Sequence, residues 1–311
     1  MRRFNASMPC NPKEHYMVDI SGKLGKIVKM VNDECYFTIE LPEKYGKTTT
    51  LMELEKKLEG EYFCARIGFG DAREQDFSAH EAFYSMFLGK ISEALAISCP
   101  DRGYAQEWRS CDILRSFELD EHISRMCRGR KIVLMIDEVD AFKESQMMGH
   151  CLSVLRAKYQ TRTTRNEDTF HSVILAGVHD VKCLYRIPWN IASDFHVDMS
   201  FSPSEIATML SDYEMDHQTK MDIGLVADAI FEYTHGHPFM VSRICQCMDE
   251  ELGGDWTRAG VRQAVKILML ESDDLFETMT KTLDCNPELH DFLYGMILAG
   301  RKNSFVHGNP S

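Results

Sequence analysis

The run Lys131-Ile132-Val133-Leu134-Met135-Ile136-Asp137-Glu138 is apolar at every position between its lysine and its two carboxylates. A strand with no polar side must be buried on both faces, which calls for a parallel sheet covered by helices above and below. A carboxylate at the C-terminal end of such a strand stands where open α/β sheets bind their ligands.

A second segment has the complementary chemistry. Phe37-Thr38-Ile39-Glu40 reads as a short strand, Leu41-Pro42-Glu43-Lys44-Tyr45-Gly46-Lys47-Thr48 as a tight loop, and Thr49-Thr50-Leu51 as the first turn of a helix. In a phosphate-binding loop the glycine lets backbone N–H groups approach an anion, the lysine reaches the terminal phosphates, and the threonine hydroxyl serves Mg²⁺. Gly46, Lys47 and Thr48 fit that order, but the first glycine of the full pattern is replaced by Leu41. With both segments present, Asp137 is the candidate metal-holding residue together with Thr48, and Glu138 the candidate base that deprotonates a water. Taken singly, the two segments also fit an ordinary helix start and an ordinary strand end.

Composition bounds this reading. At 311 residues, 44% hydrophobic and 27% charged, the chain is long enough for one large or two moderate domains with real cores. No apolar run approaches the ~20 residues that span a bilayer, and Phe4-Asn5-Ala6-Ser7 starts no export signal, so a cytoplasmic protein is expected. The eleven cysteines are odd in number and several sit in apolar patterns, among them Cys64, Cys151 and Cys245, which reads as reduced core thiols. Neither Cys245/Cys247 nor His235/His237 has a matching second pair for zinc. A net charge of -13 argues against a surface that grips nucleic acid throughout, and leaves Arg156, Lys158, Arg162 and Arg165 as the best local basic patch.

Along the chain, a helix with Leu24, Ile27 and Val31 on one side opens near Asp19 or Ser21, and a strand covers about 36 to 40. A helix over Thr48 to Leu58 follows, then a strand over Tyr62 to Phe69. Ser78 and Glu81 form an expected capping box before Phe83, Phe87, Ile91 and Leu95. Further helices are expected over about 112 to 128 and 144 to 160, and further strands over Ser172 to Ala176 and Phe195 to Met199. Five strands alternating with helices predict an α/β fold with a mostly parallel sheet, over 1–200.

Beyond residue 200 the pattern is helical only. Ser202-Pro203-Ser204-Glu205 is a capping box with proline at the first helical position. Gly236 stops one helix, His237-Pro238 starts the next, and Thr257 starts another. This predicts a small helical lid domain over 201–272, then a helical linker and the start of a truncated C-terminal segment over 273–311, with Leu289, Phe292, Leu293, Met296 and Ile297 on one helical side.

From about Phe4 to Gly300 the chain resembles the AAA-like ATPases of bacteria, P-loop NTPases related to the STAND and archaeal AAA+ groups and often fused to a C-terminal PD-(D/E)xK nuclease-type domain. The resemblance is carried by His15-Tyr16-Met17-Val18-Asp19, by Tyr45 to Leu51, by Leu134 to Asp140, by Ser172 to Val178, by Pro188-Trp189-Asn190-Ile191-Ala192, and by Gly236-His237-Pro238-Phe239. It implies that Tyr45, Gly46, Lys47, Thr48 and Thr49 cradle ATP, that Asp137 and Glu138 serve Mg²⁺ and water, that the strand ending at Gly177 lies beside the γ-phosphate, and that His237 and Pro238 touch the nucleotide from the lid. It also implies a winged-helix-like segment after the lid. No Asp with a later Glu-x-Lys strand motif is placed to suggest that nuclease, so no nuclease chemistry is assigned.

Two places depart from that family. Its usual Arg-x-Arg-Gln or Pro-Arg-Gln run is Leu41-Pro42-Glu43-Lys44 here, and a carboxylate close to a triphosphate costs on the order of a few kcal/mol. An arginine acting across a subunit boundary is also hard to assign, with Arg186, Arg162, Arg165 and, in cis, Arg243 as candidates. Two classes therefore stay open: an ATP-hydrolysing switch using Mg²⁺, with a homo-oligomer or a C-terminal effector domain as partners, and a non-hydrolysing scaffold that binds protein or DNA.

Overall fold

The computed structural model describes residues 2–7, 9–109, 113–141, 145–165, 167–179, 185, 192–194, 198–271, 280, 283–284 and 286–299. The chain divides into two compact units, Met1–Val261 and Arg262–Ser311.

In the first unit the elements alternate: α1 (Ser21–Asn32), β1 (Tyr36–Glu40), α2 (Lys47–Leu58), β2 (Phe63–Gly68), α3 (His80–Ser98), α4 (Arg102–Glu107), α5 (Ser116–Cys127), β3 (Ile132–Asp137), α6 (Gln146–Arg165), β4 (Ser172–Gly177) and β5 (Ala192–Asp194). Every strand pairing is parallel, in the order β2-β3-β4-β1-β5. Four strands have five or six residues, and β5 is a three-residue segment on the far side of β1. That edge segment falls ahead of the expected Phe195 to Met199, of which 195–197 lie outside the described residues.

Strand β3 shows why its sequence is uniformly apolar. Ile132, Leu134 and Ile136 join one core with α3, α4, α5 and α6, whereas Val133 and Met135 join another with α1 and α2. Successive side chains point to opposite faces, and both faces are covered. The first core is built around Trp108, Phe83, Phe87 and Phe170, all fully buried. Burying such aromatic side chains contributes roughly 1.5–3 kcal/mol each.

Local signals differ in one place. Ser78 does not cap α3: its hydroxyl donates to the Gln75 carbonyl at 2.7 Å, closing a short 3₁₀ turn over Glu74–Phe77, and Ala79 occupies the cap position. The expected basic patch is also spent on structure. Lys158 is fully buried on α6, bonded to Asp120 and Glu167 at 3.2 Å and to the Ser124 hydroxyl, and Arg162 donates to the carbonyls of His171 and Glu34.

The helical segment follows as α7 (Pro203–His217), α8 (Ile223–Thr234) and α9 (Pro238–Glu250). The Ser202 box forms as read, with Glu205 N–H donating to Ser202 Oγ at 3.2 Å and Ser202 N–H to Glu205 Oε2 at 2.8 Å. The N-terminal segment is fastened to α7: Arg2 pairs with Asp212 and Asp216, the Tyr16 hydroxyl donates to Asp216 at 2.9 Å, and Phe4 and Tyr16 pack with Tyr213. Then come α10 (Arg258–Leu268) and, in the second unit, α11 (Pro287–Ala299), on which Leu289, Phe292 and Tyr294 are exposed. Among the described residues no helix is long and apolar enough to cross a membrane.

Candidate functional site

The loop between β1 and α2 is set by what each residue can do with its backbone. Leu41 stays with the strand: its N–H donates to the Gly177 carbonyl at 3.1 Å and its side chain is buried in the core, which accounts for leucine where a phosphate loop has glycine. The chain then turns through Lys44 (φ 58°) and Gly46 (φ 75°), both left-handed. Glycine takes that conformation freely, whereas a residue with a β-carbon gives up roughly 1–2 kcal/mol. Helix α2 starts at Lys47 with no side-chain cap, so its first N–H groups are available to an anion.

Lys47 donates to the carbonyls of Leu41 and Pro42, each at 2.8 Å. Burial lowers its pKa below the ordinary lysine value, while Asp137, Asp140, Glu43 and Glu138 pull the other way. The Thr48 hydroxyl donates to Asp137 Oδ2 at 2.6 Å, and Asp137 Oδ1 accepts the Glu138 N–H at 3.0 Å. The Thr49 hydroxyl accepts the Cys10 N–H at 3.1 Å, joining the loop helix to the N-terminal segment.

Asp137 is buried and Glu138 exposed. Glu138 has φ 52°, and its carboxylate lies against the loop after β2, so close to Gly70 that a β-carbon there would sit 2.6 Å from Oε2. Asp140 accepts the N–H groups of Val178 and His179 at 2.8 and 3.1 Å, fixing the exit of β4 beside the loop.

These groups line a cavity of about 630 Å³, together with Asn5, Cys10, Tyr16, Met17, Phe201, Pro238 and Phe239. That volume lies in the range of small-molecule sites, roughly 300–1,000 Å³. Tyr45 lines it and packs edge-on against His237, ring centroids 4.4 Å apart. His237 itself is not among the lining residues. Its Nδ1 is buried without a hydrogen-bond partner, and burial lowers its pKa, with Lys44 acting in the same direction. Pro238 opens α9 on the cavity wall.

No family model and no curated protein matches the chain. Solved structures do. The Aeropyrum pernix ORC2 protein, in ADPNP-ADP complexes, matches with a TM-score of 0.53 and 15% identity, over 85% of this chain and 72% of that one. Drosophila ORC bound to DNA matches with a TM-score of 0.50 and 11% identity, over 92% and 81%. The chain shares its fold with these two structures.

On this scaffold the expected site residues Tyr45, Gly46, Lys47, Thr48, Thr49, Asp137, Glu138 and Pro238 all reach one cavity. Asp140 and the N-terminal residues Asn5, Ala6, Ser7, Pro9 and Cys10 were missed as lining. The Val139-Asp140 pair gave no sign of holding the β4 exit, and the N-terminal residues carry no motif of chemistry. Among the described lining residues the carboxylates are Glu43, Asp137, Glu138 and Asp140, the ammonium groups are Lys44 and Lys47, and there is no arginine. Arg243 lies with Glu251 at 3.6 Å, and Arg186 lies outside the described residues.

Proposed function

We propose that this cavity binds ATP with Mg²⁺ and that the protein is a slowly hydrolysing nucleotide switch. The observation that carries the reading is the Thr48–Asp137 contact of 2.6 Å at the uncapped start of α2. A hydroxyl and a carboxylate so placed suit Mg²⁺, which takes one or two protein oxygens and completes its shell with phosphate and water.

When bound, Mg²⁺ would be held by Thr48 and Asp137 and would offset charge on the terminal phosphates. The α2 N–H groups and Lys47 hold phosphate oxygens, and Tyr45 and Pro238 bound the space around them. Glu138, exposed on the wall, accepts the proton of an attacking water. An arginine supplied across a subunit boundary, for which Arg162, Arg165 and Arg186 are the candidates, would add the charge that fast turnover needs and would make a homo-oligomer the active form. The helical segment α7 to α9 acts as the lid, because Phe239 and Pro238 of α9 face the phosphate loop across the cavity.

A second reading has its own observation. Glu43 lines the cavity beside Lys47, and this favours a nucleotide-held scaffold whose output is a protein or DNA contact. Calorimetry with Mg²⁺·ATP on wild type and Lys47→Ala, with phosphate release followed in the same samples, separates the two. Binding and turnover both lost in the variant support the switch; binding without turnover in wild type supports the scaffold; no binding in wild type rejects both.

A further inference from the structure

Lys44 is the one lysine of the phosphate loop that the sequence motif does not explain. It sits three residues before Lys47, half-buried on the cavity wall, with φ 58°. A left-handed residue with a long side chain is disfavoured where glycine would serve, and such outliers gather where a site needs the side chain. Its ammonium lies over the Phe239 ring, 4.3 Å from the centroid, and Phe239 lines the same cavity from the second position of α9.

The charges of the cavity give this placement its meaning. Four lining carboxylates face two ammonium groups, and Lys47 is already bonded to two loop carbonyls. A polyphosphate would bring further negative charge into this space. Among the described lining residues Lys44 is the other cation within the loop's own reach. An aromatic face holds an ammonium less strongly than a phosphate oxygen does, and a flexible four-carbon stem lets the ammonium move from the ring to the phosphate.

Resting on the ATP-binding reading above, we propose that Lys44 is a second phosphate-contacting cation and a determinant of preference for the longer polyphosphate, its ammonium exchanging the Phe239 ring for phosphate oxygens. The exchange breaks a contact between the phosphate loop and α9, so the start of the helical segment responds to the length of the phosphate chain.

Titration calorimetry of Mg²⁺·ATP, Mg²⁺·ADP and adenosine against wild type, Lys44→Gly and Lys44→Arg tests this. Glycine takes the left-handed backbone freely, so it removes the amine and leaves the loop at ease. The expected result for Lys44→Gly is at least a tenfold loss for Mg²⁺·ATP, a smaller loss for Mg²⁺·ADP and none for adenosine, with Lys44→Arg within threefold of wild type throughout. Lys44→Gly that binds Mg²⁺·ATP as well as wild type, or that weakens ATP and adenosine equally, overturns the proposal while the ATP reading stands. A wild type that binds no nucleotide overturns both.

Discussion

Thr48 and Asp137 meet at 2.6 Å although their strands are not neighbours, because β4 lies between β1 and β3 in the sheet. The hydroxyl starts the helix after one strand and the carboxylate ends the other, so the contact exists only if both C-terminal strand ends converge over β4. If it is a Mg²⁺ site, Thr48→Ala should weaken Mg²⁺·ATP at least tenfold and leave metal-free ATP within twofold of wild type. Calorimetry with and without Mg²⁺ decides it, and an equal loss in both would make the contact structural.

Glu138 is the next residue along, and its role separates from that of Asp137 by exposure. Glu138→Gln keeps the side chain's size and removes its basicity. Nucleotide affinity should hold within threefold while turnover falls ~100-fold or more, the range for loss of a general base. Unchanged phosphate release from the variant would remove Glu138 from the mechanism.

Much of this architecture was legible in the sequence because it rests on local rules. The two-faced burial of β3 demanded a covered parallel sheet, and the Ser202 box with Pro203 marked the start of α7 to the residue. What stayed hidden depends on long-range neighbours. Lys158 read as a surface cation, and only the approach of Asp120 and Glu167 from other parts of the chain explains its burial. Ser78 had the spacing of a cap, but the carbonyl of Gln75 competed for its hydroxyl and won. The lining residues Asn5, Ala6, Ser7, Pro9 and Cys10 show no periodicity or motif, and the segment they belong to is fastened, through Arg2 and Tyr16, to a helix some two hundred residues away.

His122 on α5 makes stability depend on pH. Burial, with Arg125 beside it, lowers its pKa from 6.5 to about 4. The folded protein keeps the ring neutral while the unfolded chain protonates near pH 6.5, so this contribution is complete above pH 6.5 and is lost as pH falls toward about 4. The shift corresponds to about 3 kcal/mol at most. Buried His15 and half-buried His171 have pKa values lowered in the same direction and add to the slope. His122→Leu should flatten, though not abolish, the fall in urea midpoint between pH 7 and pH 4.5; an unchanged fall would show that the ring does not titrate in this way.

Gly236 ties the helical segment together at a point where no side chain fits. Its φ is 78°, its carbonyl accepts the Phe201 N–H at 2.8 Å, and an added β-carbon would stand 2.0 Å from the Phe201 carbonyl oxygen. Backbone cannot move aside as a flexible side chain would, so Gly236→Ala should destabilise by about 3 kcal/mol or more, combining conformational strain with a forced separation of 201 from 236. Because Phe201, Pro238 and Phe239 line the cavity, nucleotide affinity should fall with it. Gly46→Ala is the matched control: its φ is 75° and nothing lies within 4 Å of the added carbon, so it should show only the conformational part, roughly 1–2 kcal/mol. Denaturant midpoints of the two variants measure the difference directly, and equal losses would mean that the Phe201 backbone yields and the close approach holds nothing in place.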